Sequence, residues 1–167
     1  MTHRITEDAH AIRMLMLRHF TNHICALLDD VTRREYAHER FTWHIVRRAD
    51  EARVTVTAVA QDSGDILEAE GSLHDESGYG AITVAVTTQC IVPVDSSDGD
   101  ADSADTGAGE ELVRQTRAQV HVTNVDLASL DDALYDAYTQ ASRASRACAR
   151  RGRKACNIQA QTQTQTH

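Results

Sequence analysis

The chain lacks any run approaching the ~20 apolar residues that a bilayer-spanning helix needs, and its 167 residues hold one proline and one lysine. The first absence predicts a protein that is not inserted in a membrane. The start MTHRITEDAH is acidic where a secretory leader is basic and then apolar, so a cytoplasmic setting is expected. The four cysteines, Cys25, Cys90, Cys148 and Cys156, match neither CxxC nor zinc-ribbon spacing and read as reduced thiols, with Cys25 and Cys90 as small core residues. Signatures of chemistry are missing too. There is no HExxH and no GxSxG elbow, and GSLHDESGYG lacks both the Lys-Ser/Thr ending and the following helix of a phosphate loop, which leaves it a turn. The alternating aspartates of residues 95–111 lack the bidentate glutamate and flanking helices of a calcium loop.

What is present is an ordinary core with charged appendages. Apolar residues make up 41% and charged residues 25%, enough to bury a core within one domain. From Glu7 to Glu39 there is no glycine or proline, and Met16, Phe20, Ile24, Leu27 and Val31 recur at helical spacing opposite Arg18, Asn22 and Asp29; a long amphipathic helix is predicted, with Thr6 as N-cap. From Phe41 the pattern becomes FTWHIVRR, ARVTVTAVAQ, ILEAEGSLHD and AITVAVTTQCIVPV, rich in Val, Ile and Thr, then VRQTRAQVHVTNV. Asp62-Ser63-Gly64-Asp65 and Glu76-Ser77-Gly78-Tyr79-Gly80 join neighbours as turns. Ser129-Leu130-Asp131-Asp132 resembles a capping box opening a second helix to about Arg151, with Gly152 at its C′ position.

The expected fold is α+β: a long N-terminal helix packed on a curled antiparallel meander of about five strands, then a C-terminal helix covering a sheet edge or the far face. Residues 1–151 form this single domain, interrupted by a disordered acidic insertion at 95–111, and residues 152–167 form a flexible polar tail. The fourth strand sets Ile82, Val84 and Val86 against Thr83, Ala85 and Thr87, and the moderately polar second face is expected to need cover, which predicts a homo-oligomer. The stretch RVTVTA followed by a hairpin resembles a fragment of the SecB export chaperones, which are small, acidic and built on a four-stranded meander. The long N-terminal helix departs from that pattern, and no family is assigned. A helix held by an antiparallel sheet also resembles hot-dog and cystatin-like domains in architecture alone.

Charge is segregated. Residues 95–111 carry seven acids and no base, whereas residues 137–167 carry six bases and no acid, within a net charge of −8. The acidic total excludes a body-wide nucleic-acid platform. It leaves Arg143, Arg146, Arg150, Arg151, Arg153 and Lys154 as a local candidate surface for nucleic acid or an acidic partner, including the chain's own acidic insertion. His19 and His23, four apart on one helix, are a weak metal candidate without a third ligand, so no cofactor is expected. Asp29-Asp30, Glu68 with Glu70, and Asp131-Asp132 are carboxylate pairs that fit solvated faces better than acid–base work. The expectation is a non-catalytic binding or assembly protein, an oligomeric adaptor or chaperone-like module. The alternatives are a nucleic-acid accessory protein using the basic helix end, or a small enzyme with a slot between the first helix and the sheet, served by His19, His23 or His44.

Overall fold

The computed structural model describes residues 2–48, 50–74, 79–93, 111–151 and 155–161; for 2–9, 91–93, 111–112 and 155–161 only the backbone is described. The acidic insertion, apart from Glu111, and Gly152, Arg153 and Lys154 lie outside the described residues. The chain is α+β. Helix α1 (Thr2–Glu35) leads into strands β1 (Phe41–Arg48), β2 (Arg53–Ala60), β3 (Ile66–Leu73), β4 (Tyr79–Pro93) and β5 (Glu111–Asp126), then α2 (Leu130–Arg150) and β6 (Ala155–Gln161). The sheet order is β1-β2-β3-β4-β5-β6, antiparallel through β5, with β6 parallel to β5.

The meander follows from its turns. Gly64 adopts φ +73° in the β2–β3 turn, a conformation that costs a glycine little and a side chain much. The Asp65 carboxylate then accepts from Gln89 N at 3.0 Å and from Tyr36 Oη at 3.1 Å, which ties the turn to β4 and to the end of α1. Period-two alternation gives β2 the inward set Val54, Val56, Ala58 and Ala60, and the register aligns it with Leu67 and Ala69 of β3, Val84 and Val86 of β4, and Ala118 and Val120 of β5.

Both helices lie on this one face. α1 crosses β2 and β3, and α2 crosses β4 and β5, in one continuous hydrophobic cluster. They run parallel side by side: His23 meets Asp131, and twelve residues further along α1, Glu35 meets Tyr138 and Arg146. Phe20 is the keystone of α1, because a Cβ at Gly71 would stand 2.4 Å from its ring and one at Gly80 2.9 Å, so these glycines let helix and sheet approach closely.

Several expectations are corrected. α1 starts at Thr2, so Thr6 lies inside it and is no N-cap, and its buried stripe centres on Leu17, Phe20, Ile24, Leu28 and Val31, with Met16 and Leu27 at the margin. Ser129 occupies the N-cap position of α2 without a side-chain cap bond, because its hydroxyl donates back to Asp126 Oδ1 at 2.6 Å. α2 does not cover the far face. Among the described residues no helix lies over that face, and Glu68 reaches from β3 across β4 to Arg117 on β5 at 2.9 Å, over the buried Ala85 and Thr87. Within the stretch read as a flexible tail, residues 155–161 form β6, in register from Arg117↔Ala155 to Thr123↔Gln161, where β5 offers a free edge to extended backbone of any polarity. Cys25 and Cys90 are free and only partly buried, whereas Cys148 in the last turn of α2 is disulfide-bonded, against the expectation of four reduced thiols.

Candidate functional site

The elements are unequal in length, and this shapes the surface. At ~1.5 Å per residue the 34 residues of α1 reach about 51 Å, while an eight-residue strand reaches about 27 Å. Since Tyr36 at the helix end packs edge-on to Phe41 at the start of β1, with ring centroids 5.4 Å apart, the helix overshoots the sheet at its N-terminal side. Ile12 and Leu15 on the overshoot are about 60% exposed.

β1 shows the same lack of cover. Seven of its eight residues are exposed, because α1 sits over β2 and β3 and leaves the outermost strand bare. Trp43 and Ile45 stand on the helix-bearing face, opposite Ala58 and Val56 in register, and Val46 stands on the other. All three are exposed. Between α1 and β1 runs an open groove of about 650 Å³, lined by Ala11, Met14, Leu15, Leu17 and Arg18 on the helix and Arg47 on the strand. Exposed large apolar side chains on a helix and on an adjoining bare strand edge make a surface suited to burial against another chain.

The acid–base candidates do not meet in this groove. His19 and His23 stack with centroids 5.6 Å apart on the flank of α1 that faces α2, where His23 Nδ1 pairs with Asp131. His23 thereby joins α1 to α2. His44 lies on the opposite face of β1. Among the described residues no three of His, Cys, Asp and Glu gather as a metal-binding group. The carboxylates are engaged elsewhere: Asp29 pairs with Arg33 and Asp30 with Arg34 along α1, while Glu70 pairs across strands with Arg53 and accepts from the Thr55 hydroxyl.

The basic stripe is partly committed. Arg146 donates to Glu35 Oε2 at 2.9 Å, and Tyr138 Oη donates to the same oxygen at 2.8 Å, so this arginine closes the seam between α1 and α2. Burial first, then the neighbouring carboxylate, pushes the Tyr138 phenol well above its ordinary range, and burial with Asp65 does the same for Tyr36. Arg143, Arg150 and Arg151 are exposed and make no ion pair among the described residues. Tyr135 is exposed beneath the Arg34 guanidinium, 5.6 Å from its ring centroid.

Sequence reasoning missed the apolar margin. The signal was there in Trp43, Ile45 and Val46, consecutive enough to put large apolar groups on both faces of one strand. Comparison with known protein families, curated proteins and solved structures finds no match to this chain. Among the described residues no helix is long and apolar enough to cross a membrane.

Proposed function

We propose that this protein is a non-catalytic binding or assembly module whose working surface is the apolar margin formed by β1 and the overshooting part of α1. The observation that carries the reading is the exposure of Ile12, Leu15, Trp43, Ile45 and Val46 beside a strand edge with no pairing partner among the described residues. Leaving such groups in water forgoes on the order of 1.5–3 kcal/mol per fully buried side chain, a driving force for association. An oligomeric or partner-bound state is part of the same reading.

The test is sedimentation of the full chain, both purified and in an extract of its native host, against Trp43→Glu. The parent is expected to sediment above 18.4 kDa in at least one of the two, and the variant, with an unchanged circular dichroism spectrum, to lose that mass. A parent that runs at 18.4 kDa in both settings overturns the reading.

A second reading rests on Arg143, Arg150 and Arg151, three exposed cations at the end of α2 without ion-pair partners among the described residues. Together they would contact a phosphate backbone, with affinity that falls steeply as salt is added. A gel-shift titration at two salt concentrations tests it, and the absence of a shift at low salt removes it.

A further inference from the structure

Resting on the reading of β1 as a binding surface, we infer that the partner is a second copy of the same chain: two β1 strands pair antiparallel about a two-fold axis at His44, so that the two sheets continue as one.

The argument starts from backbone polarity. The Arg40 carbonyl accepts from Gln61 N at 2.9 Å, and the register continues from Phe41↔Ala60 to Arg48↔Arg53. In an antiparallel pair the residues that bond the neighbour alternate with residues whose N–H and C=O point away. Arg40 therefore fixes the phase. Thr42, His44, Val46 and Arg48 bond β2, while Phe41, Trp43, Ile45 and Arg47 turn their backbone groups to the free edge. These same four carry their side chains on the helix-bearing face, opposite Ala60, Ala58, Val56 and Val54. Backbone capacity and apolar side chains thus coincide on one set of residues.

The strand is its own complement. A two-fold axis normal to the sheet keeps the helices of both copies on one side and pairs residues of like facing. With His44 on the axis, Trp43 lies opposite Ile45 of the second copy and Phe41 opposite its Arg47, each pairing occurring twice. All four outward residues are then used, giving about eight N–H···O=C bonds, whereas a shift of the axis by one residue either way leaves one of the four beyond the end of the partner strand. Each aromatic ring meets an aliphatic or cationic side chain, pairings favourable across strands, and the two Arg47 side chains are kept apart. β1 also lacks proline, lysine and any bulge in its pairing with β2, and its only charges, Arg47 and Arg48, stand at its end.

Two variants and one cross-link test this. Ile45→Pro removes an N–H that β2 does not use, so the fold is expected to survive, as proline does on edge strands, while edge pairing is blocked. Under mild oxidation, His44→Cys is expected to give a covalent dimer absent from the parent, because residues opposite each other at a non-bonded position have Cα atoms about 4.5 Å apart. Thr42→Cys and Val46→Cys, each alone, should not. The purified parent is expected at twice 18.4 kDa and Ile45→Pro at 18.4 kDa with the parent's circular dichroism. Should Ile45→Pro fail to fold, the cross-link decides. A purified parent that stays at 18.4 kDa overturns self-pairing, and if it runs larger in host extract and loses that mass on Trp43→Glu, the binding reading survives with a different partner. A dimer that cross-links through Thr42→Cys or Val46→Cys, or that fails to cross-link through His44→Cys, overturns the two-fold at His44.

Discussion

The two halves of α1 obey different rules although one helix carries both. From Leu17 to Val31 every third or fourth residue is buried under the sheet and α2, and the helix end is fastened by Tyr36 to Asp65 and by Glu35 to Tyr138 and Arg146. From His10 to Leu15 the same helix is exposed on every side, Ile12 and Leu15 included. Stability is thus concentrated in one half and unsatisfied apolar surface in the other. An apolar residue in a helix reports a core only where another element lies beneath it.

The largest effect should come from the buried half. Phe20→Asp places a charge at the contact with Gly71 and Gly80, where nothing can pair it, and should abolish folding, while Asn22→Asp on the exposed flank should leave the melting temperature within a few degrees. Thermal melts by circular dichroism check both, and equal tolerance would erase the contrast. Gly71→Ala should follow at about 1–3 kcal/mol, since the added methyl overlaps the Phe20 ring and ring and backbone must both shift. Denaturant titration reads this loss, and an unchanged midpoint would mean the helix is not seated on the sheet at Phe20.

This asymmetry was half legible in the sequence. The period of α1, the turn at Gly64 and the alternation of β2 through β5 are local signals, and they fixed the fold class and most of the core. The relative placement of elements is not local. Nothing in residues 130–150 says that α2 lies beside α1 instead of across the sheet; that follows from Leu130, Leu134, Ala137 and Ala141 joining the cluster that contains Ile24 and Val56. Likewise Glu68 and Arg117 stand 49 positions apart, and their ion pair over Ala85 depends on sheet register. β6 escaped notice because its polar sequence imitates a tail, and the pairing of Arg146 with Glu35, 111 positions away, arises only in three dimensions.

The fastened end of α1 should show itself at high pH. Tyr36 and Tyr138 both have folded-state pKa values raised above the ordinary 10.0, mainly by burial. A raised value means that the folded protein holds the proton more tightly than the unfolded chain does. The stabilisation is therefore complete below pH ~10 and is lost as pH rises beyond it, by at most about 1.4 kcal/mol per pH unit for each tyrosine. Tyr138→Phe should cost about 0.5–1.5 kcal/mol at neutral pH through the lost bond to Glu35 and should flatten this alkaline decline. Denaturant midpoints from pH 8 to 11 measure both, and an identical decline in the variant would detach Tyr138 from the effect.

The smallest expected effect is the sharpest probe of the boundary between the halves. Leu15 and Leu17 are two residues apart in the same helix, yet Leu17 is buried and Leu15 is mostly exposed. Leu17→Ala should cost about 2–5 kcal/mol, the loss of a buried side chain plus the cavity it leaves. Leu15→Ala should change the stability of the isolated chain by no more than about 0.5 kcal/mol, since alanine suits a helix at least as well and there is no packing to lose. The measurement belongs at several protein concentrations. A small effect that stays small at every concentration would confine the interface to β1, whereas a cost that grows with concentration would extend it along α1 to Leu15, because only the associated state buries that residue.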